Sequence, residues 1–162
     1  MDDVLNRLMY FWLKNWNQNA GKNFNYQDIV ENPPHNLLGI TEEEYFSSLD
    51  DYRNSDSGKN VSVNKCVFQW FQSYGNDFKH IACTARPVHK MPNQSWWIYT
   101  FFGRWIQTVQ IASSLRDGAD ESDAQTKGQF VARLNKEVVF IDDSERNVEE
   151  VSKIGGVSLL FP

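Results

Sequence analysis

The feature that most constrains the fold is an alternation of short apolar runs with helical segments in the C-terminal half of the chain. The apolar runs occupy residues 78–83, 106–112, 138–141 and 157–161. Strands that alternate with helices predict an α/β protein, with a parallel sheet flanked by helices. Because such sheets bind ligands beyond the carboxyl ends of their strands, the residues that follow each run are the first candidates for a functional site.

The N-terminal segment is predicted to add a helix to this core. Leu5, Leu8, Trp12 and Trp16 recur at spacings of three and four residues, which places them on one face of a helix over residues 4–16. We therefore assign residues 1–16 and 61–162 to the α/β core. Within it, an apolar helix over residues 63–74 is expected to end at Gly75.

The intervening residues 17–60 have the pattern of a small helical cap inserted after the first helix. Pro33 and Pro34 interrupt the chain, and Thr41 with Glu44 forms a capping box that predicts a helix start. Residues 54–58 are rich in Asn, Ser, Asp and Gly and are predicted to form a loop.

Polar side chains suited to phosphate chemistry follow the predicted strands. Thr84 comes directly after the first apolar run, and Asp142 and Asp143 come directly after the third. A capping box at Thr126 places Lys127 in the first turn of the preceding helix. Taken singly, the acidic pair could serve only to stabilise the start of a helix through the helix dipole. The lysine, taken singly, could be an ordinary surface residue. Their joint order at successive strand ends indicates a site in which hydroxyl and ammonium groups hold phosphate and carboxylates hold Mg²⁺.

Composition excludes several other classes of function. The formal net charge is −5 without a Lys/Arg stripe, which argues against a nucleic acid polymer or an anionic membrane surface as the partner. Apolar runs of about 18 residues are absent from the sequence, which predicts no membrane span. The two cysteines, Cys66 and Cys83, lack a metal-ligand spacing and favour a reducing, cytoplasmic location.

The same motifs resemble the haloacid-dehalogenase superfamily, and within it the 5'(3')-deoxyribonucleotidase-like branch. The first motif of that branch runs Asp-Met-Asp-Gly-Val-Leu, and the residues from Met1 to Leu5 read Met-Asp-Asp-Val-Leu. Thr84 matches the second motif, Lys127 is the best match to the third, and Asp142 with Asp143 matches the fourth. The cap also resembles this branch at residues 26–29 and 38–44, as do residues 96–105. The resemblance implies a Rossmann-like core with a cap.

The resemblance also implies roles for individual residues of a Mg²⁺-dependent phosphomonoesterase that acts through an aspartyl-phosphate. Asp2 would be the catalytic acid and base, with Thr84 and Lys127 as the other catalytic residues. The expected substrate is a small phosphorylated molecule, with nucleoside monophosphates as the guessed class. Substrate contacts are expected from Thr84, Ala85, Arg86 and Lys127. The expected metal ligands are Asp2, Asp142 and Asp143.

In this register the nucleophilic aspartate is expected just upstream of Met1, on a strand that lies in the middle of the family's sheet. Without that strand, the strands that end near Cys83 and Ile141 would lose their shared partner. One alternative is a protein of the same fold that binds phosphate or Mg²⁺ without catalysis. A phospho-receiver domain is a third alternative. It is disfavoured because the sequence between Asp3 and Thr84 has no acceptor aspartate at a strand end, and because a receiver domain has no place for the cap.

Overall fold

The computed structural model describes residues 2–86, 91–112, 126–134 and 136–161. In these ranges the chain is a mixed α/β protein with short parallel strands, as the alternating pattern predicts. The strands are β1 (His80–Thr84), β2 (Ile106–Ile111), β3 (Val139–Asp142) and β4 (Val157–Leu160). The helices are α1 (Leu8–Ala20), α2 (His35–Leu38), α3 (Glu42–Asn54), α4 (Asp56–Lys59), α5 (Lys65–Tyr74), α6 (Met91–Phe102), α7 (Lys127–Arg133) and α8 (Glu145–Lys153).

The strands form two separate parallel pairs rather than the single sheet that the sequence predicts. β1 pairs with β2, and Ala82 lies opposite Val109; β3 pairs with β4, and Ile141 lies opposite Leu159. Within the described ranges, β1 and β3 have no strand between them. One continuous sheet would need a central strand that pairs with both β1 and β3. The described residues supply no such strand, so the expectation of one sheet does not hold for them.

The local signals for helix starts are confirmed at two places. At α3, the Glu44 backbone N–H donates to Thr41 Oγ1 (3.1 Å) and the Thr41 N–H donates to Glu44 Oε2 (2.8 Å). At α7, Thr126 makes the predicted capping box with Gln129. Each box satisfies amide groups that a helix N-terminus leaves without an intrahelical partner.

The predicted bounds of two other elements are wrong. α1 begins at Leu8 rather than at residue 4, because Asn6 Oδ1 accepts from the Leu8 N–H (3.0 Å) and Asp3 Oδ1 accepts from the Met9 N–H (3.0 Å). The predicted loop over residues 54–58 instead contains the short helix α4, which Ser55 caps by accepting from the Gly58 N–H (3.1 Å).

Gly75 follows the last residue of α5, but the structure requires glycine there for a different reason from the one predicted. It does not adopt the left-handed conformation of a glycine cap, since its φ is −61°. A Cβ atom at this position would lie 2.7 Å from Cδ1 of the Trp105 ring. Glycine is therefore required by the close approach of Trp105, which packs over the end of the helix.

Three apolar clusters stabilise the fold. The largest joins α5, α6 and the β1–β2 pair, with Phe71, Trp97 and Phe102 at its centre. A second cluster lies between α1 and α3, and a third, smaller one lies between β3 and helices α7 and α8. The helices of residues 17–60 thus bury their apolar side chains mainly against α1. Within the described part of the chain, no helix is long and apolar enough to cross a membrane.

Candidate functional site

The site residues lie at the ends of two strands and in the turn before α1. Thr84 is the last residue of β1, and Asp142 is the last residue of β3. Lys127 is the first residue of α7. Asp2 lies in the turn that leads into α1. Thr84, Lys127 and Asp142 are thus held at the ends of regular elements, as the sequence predicts. Asp2 is held by a turn instead.

Lys127 and Asp142 form a close ion pair. The Lys127 ammonium donates to Asp142 Oδ2 at 2.6 Å, and the two side chains are 12% and 3% exposed. The other carboxylate oxygen of Asp142 accepts from the Ser144 backbone N–H (3.1 Å) and from the Asn147 side chain (2.8 Å). These contacts fix the orientation of the carboxylate and hold the lysine over the end of β3.

The two neighbouring aspartates at this strand end differ in their acidity. Burial alone would raise the pKa of Asp142, but the Lys127 charge and the hydrogen bonds from Asn147 and Lys127 bring that pKa below its ordinary value. The Asp143 side chain is exposed on one side, yet crowding by protein atoms and then the negative charge of Asp142 raise the pKa of its carboxyl. Asp142 is therefore a fixed anion, whereas Asp143 is the more weakly acidic of the two.

Asp2 is held by two arginines from distant parts of the chain. Arg86 binds it with both ends of the guanidinium, with Nε to Oδ2 at 3.0 Å and Nη2 to Oδ1 at 2.6 Å. Arg53, from α3, adds a third bond from Nη2 to Oδ2 at 3.0 Å. Burial would raise the pKa of Asp2, but the charges of Arg86 and then Arg53 hold it well below the usual range. In this arrangement Asp2 is permanently ionised.

Asp3 has the opposite character to its neighbour. Burial, followed by the negative charges of Asp2 and Asp143, raises the pKa of the Asp3 carboxyl to about 7. Its backbone has a φ of 57°, in the left-handed region that Asp tolerates better than most residues. Sequence reasoning missed this residue as a proton-exchanging group, although two consecutive aspartates are a visible signal for such a pair.

Thr84 and Arg86 form a compact turn at the end of β1. The Thr84 hydroxyl oxygen accepts from the Arg86 backbone N–H (3.2 Å), and the Thr84 side chain is buried. Ala85 between them is exposed. This turn aims the Arg86 side chain at Asp2, so Arg86 is engaged with a carboxylate in this structure.

Electrostatic interactions link the strand ends. Burial raises the pKa of the Cys83 thiol, and the charges of Lys127 and Asp142 act on the same group in opposite directions. Cys83 precedes Thr84, so the end of β1 lies near the end of β3. The charge of Asp143 also raises the pKa of Tyr26, after burial and the charge of Asp3. The cap and the N-terminal turn therefore also face this site.

The predicted metal ligands do not form a complete set of ligands. Across the described residues, no group of three His, Cys, Asp or Glu side chains is arranged to hold a metal ion. The Asp2 carboxylate is bound by Arg53 and Arg86, and Asp142 is bound by Lys127. Magnesium binding by Asp2, Asp142 and Asp143 therefore stays a prediction.

Besides the role of Asp3, two side chains at this site were not anticipated. Asn147 lies in the first turn of α8, and its position five residues after Asp142 is a signal that helical geometry could have supplied. Arg53 lies 51 residues from its partner Asp2, and no local pattern marks it.

Comparisons with known proteins do not assign the chain to a family. No protein-family model matches it, and no curated protein sequence matches it.

Proposed function

We propose that this protein is a phosphomonoesterase with a haloacid-dehalogenase-like, Rossmann-like core, which transfers a phosphoryl group through an aspartyl-phosphate. The observation that carries the proposal is the buried Lys127–Asp142 pair at the end of β3, with the end of β1 close enough for both charges to act on Cys83. A fixed ammonium group beside a strand end is suited to stabilise the charge of a transferring phosphoryl group.

Each residue has a distinct role in the proposed reaction. The nucleophile is a carboxylate on a strand that the proposal requires between β1 and β3. It attacks phosphorus while the ester oxygen leaves and takes a proton. Water then hydrolyses the aspartyl-phosphate and releases inorganic phosphate. Lys127 and the backbone after Thr84 hold the phosphoryl oxygens through both steps.

Asp2 is the proposed donor of the proton to the leaving oxygen and the base for the attacking water. As an ion bound to Arg86 and Arg53 it has no proton to donate. In the proposed reaction the arginines must therefore turn away from Asp2 when substrate enters. The phosphate dianion is a suitable new partner for Arg86, since arginine binds carboxylate and phosphate in the same bidentate way.

Magnesium is part of the proposal, although Asp2 and Asp142 are bound to cations of the chain in this structure. Mg²⁺ is commonly held by one or two carboxylates together with water and substrate phosphate, and it neutralises phosphate charge. Asp143 is the best placed ligand, because its side chain is exposed at the strand end beside Asp3.

The substrate is proposed to be a small phosphorylated molecule, with nucleoside monophosphates as the class to test first. The cap favours a small substrate, because a closing cap limits access and excludes water. Of the cap aromatics, Tyr26 lies near Asp3 and Asp143 and is a candidate for base stacking. Tyr45 is 2% exposed against Trp12 and serves the core of the cap instead.

The proposal is tested by phosphate release from nucleoside monophosphates in the natural protein and in Lys127→Met. We expect the rate to fall by about 10²–10³, the usual effect of removing one transition-state contact. The control is Lys153→Met, which removes an equally charged but 76% exposed lysine on α8 and should leave the rate unchanged. If Lys127→Met does not fold, Lys127→Arg keeps the charge and displaces it. Equal rates in a folded Lys127 variant and the natural protein would contradict the proposal.

A second candidate function is phosphate binding without catalysis. The observation that favours it is the engagement of Asp2 by two arginines, which removes the proton donor from action. In that case phosphate binds at Lys127 and Thr84, but none of the substrates is hydrolysed by the natural protein.

A further inference from the structure

Arg53 and Arg86, which bind Asp2, also line a small cavity. Its volume is about 30 Å³, and it is bounded on other sides by Asn6, Lys59, Asn93 and Gln94. A cavity needs about 10–15 Å³ of such space to hold one water molecule. The cavity therefore has room for one polar group rather than for a whole ligand.

Two residues that line this cavity each carry a buried polar atom that lacks a hydrogen-bond partner among the described residues. The two atoms are Nε of Arg53 and Oε1 of Gln94. Gln94 is 6% exposed, so its amide is almost completely removed from solvent. A buried polar group without a partner typically costs about 1–3 kcal/mol. A polar group in the cavity, from water or from a ligand, would give both atoms a partner.

A larger hollow adjoins the cavity. Its volume is about 250 Å³, and it is lined by Lys59, Asn60, Asn93 and Trp96. Lys59 and Asn93 line both cavities, so the two lie on either side of these side chains. Trp96 is 58% exposed, which leaves its ring available to a bound molecule. The combined space has a polar end and an aromatic wall.

Charge selects the ligand. Arg53, Arg86 and Lys59 bring three positive charges to the polar end, and Asp2 and Asp50 pair with the two arginines. The polar end of the cavity therefore has one positive charge that these two carboxylates do not balance. We propose that the two cavities bind a small organic anion, either a carboxylate or a phosphate monoester. Its charged end accepts from Arg53 Nε and from Lys59, and its body packs on Trp96.

Gln94 fits the same ligand after a half-turn of its amide. The oxygen and nitrogen of a glutamine amide exchange places on such a rotation. The NH₂ group then donates to the anion beside Arg53. Arg53 and Arg86 also bind Asp2 of the proposed phosphoryl site, so the two sites adjoin at these arginines. The cation that distinguishes this site is Lys59, whereas that of the phosphoryl site is Lys127.

The test is nuclear magnetic resonance of the Arg53 Nε–H group in the ¹⁵N-labelled chain, titrated with benzoate and with inorganic phosphate. We expect a saturable shift at millimolar anion. Lys59→Gln should weaken both anions about tenfold, or by about 1.4 kcal/mol. Trp96→Ala should weaken benzoate more than phosphate. Lys153→Gln, which makes the same charge change at an exposed site, should have no effect.

Three results would overturn the proposal. The first is an Arg53 signal that neither anion moves, which would mean that only water occupies the cavity. The second is an equal effect of Lys59→Gln and Lys153→Gln, which would mean diffuse attraction. The third is loss of the shift in Lys127→Met, which would place the anion at the phosphoryl site instead. Retention of the shift in that variant supports the second site whether or not the protein is a phosphatase.

Discussion

The ion pair between Arg86 and Asp2 is the most informative contact to break. Arg86→Met keeps much of the side-chain stem and removes the guanidinium, so Asp2 loses two of its three charged hydrogen bonds. Breaking a buried pair typically costs 3–5 kcal/mol. Here the side chains are 13% and 21% exposed and Arg53 remains bound. We therefore expect a loss of about 2–3 kcal/mol in the free energy of unfolding.

Urea denaturation at pH 7, followed by circular dichroism and fluorescence, measures this loss. With a slope of about 1–3 kcal/mol/M, the midpoint should fall by about 0.7–3 M. A double-mutant cycle with Asp2→Asn isolates the coupling energy of the pair. The control is the exposed pair Lys153–Glu149, at 3.4 Å on one helix face, for which we expect about 0.5 kcal/mol or less. A coupling energy for Arg86–Asp2 no larger than that of the control would refute the reasoning.

Three further predictions concern single side chains. Asp3→Asn should flatten the pH dependence of stability, because the raised pKa of Asp3 makes the natural chain less stable as pH rises from about 4 to about 7. At pH 8 the free energy of unfolding of the variant should be about 2 kcal/mol higher, which is half the full linkage value because the carboxyl is partly in water. An equal slope of stability against pH in both chains would contradict this. Gly75→Ala should cost about 1–3 kcal/mol in thermal or urea unfolding, because its Cβ meets Trp105; an unchanged midpoint would show that the ring moves freely. Asp143→Asn should weaken Mg²⁺ binding in calorimetry, and unchanged binding would remove Asp143 from the metal site.

The sequence predicts features that depend on neighbouring residues. The capping boxes at Thr41 and Thr126 are correct because each involves side chains three residues apart, whose geometry is fixed by the start of the helix. The placement of Thr84 and Asp142 at strand ends is correct because short apolar runs predict strands. The coarse class, mixed α/β with parallel strands, follows from the same runs.

Features that depend on distant contacts were not predictable. Asp2 meets Arg86 across 84 residues and Arg53 across 51, and the sequence carries no spacing that signals either pair. The need for glycine at position 75 arises from Trp105, which the chain brings back only after α6. Pairing of strands is also non-local, because the partners are distant in sequence. The division into the pairs β1–β2 and β3–β4 was therefore not predictable from local patterns.

The measurement that tests the central claim most directly is the intact mass of the natural protein, purified from its source, before and after rapid acid quenching with a nucleoside monophosphate and Mg²⁺. The account predicts one added phosphoryl group, which maps to an aspartate side chain of the protein. If the quenched protein carries no phosphoryl group, the aspartyl-phosphate account is contradicted, whether or not phosphate is released.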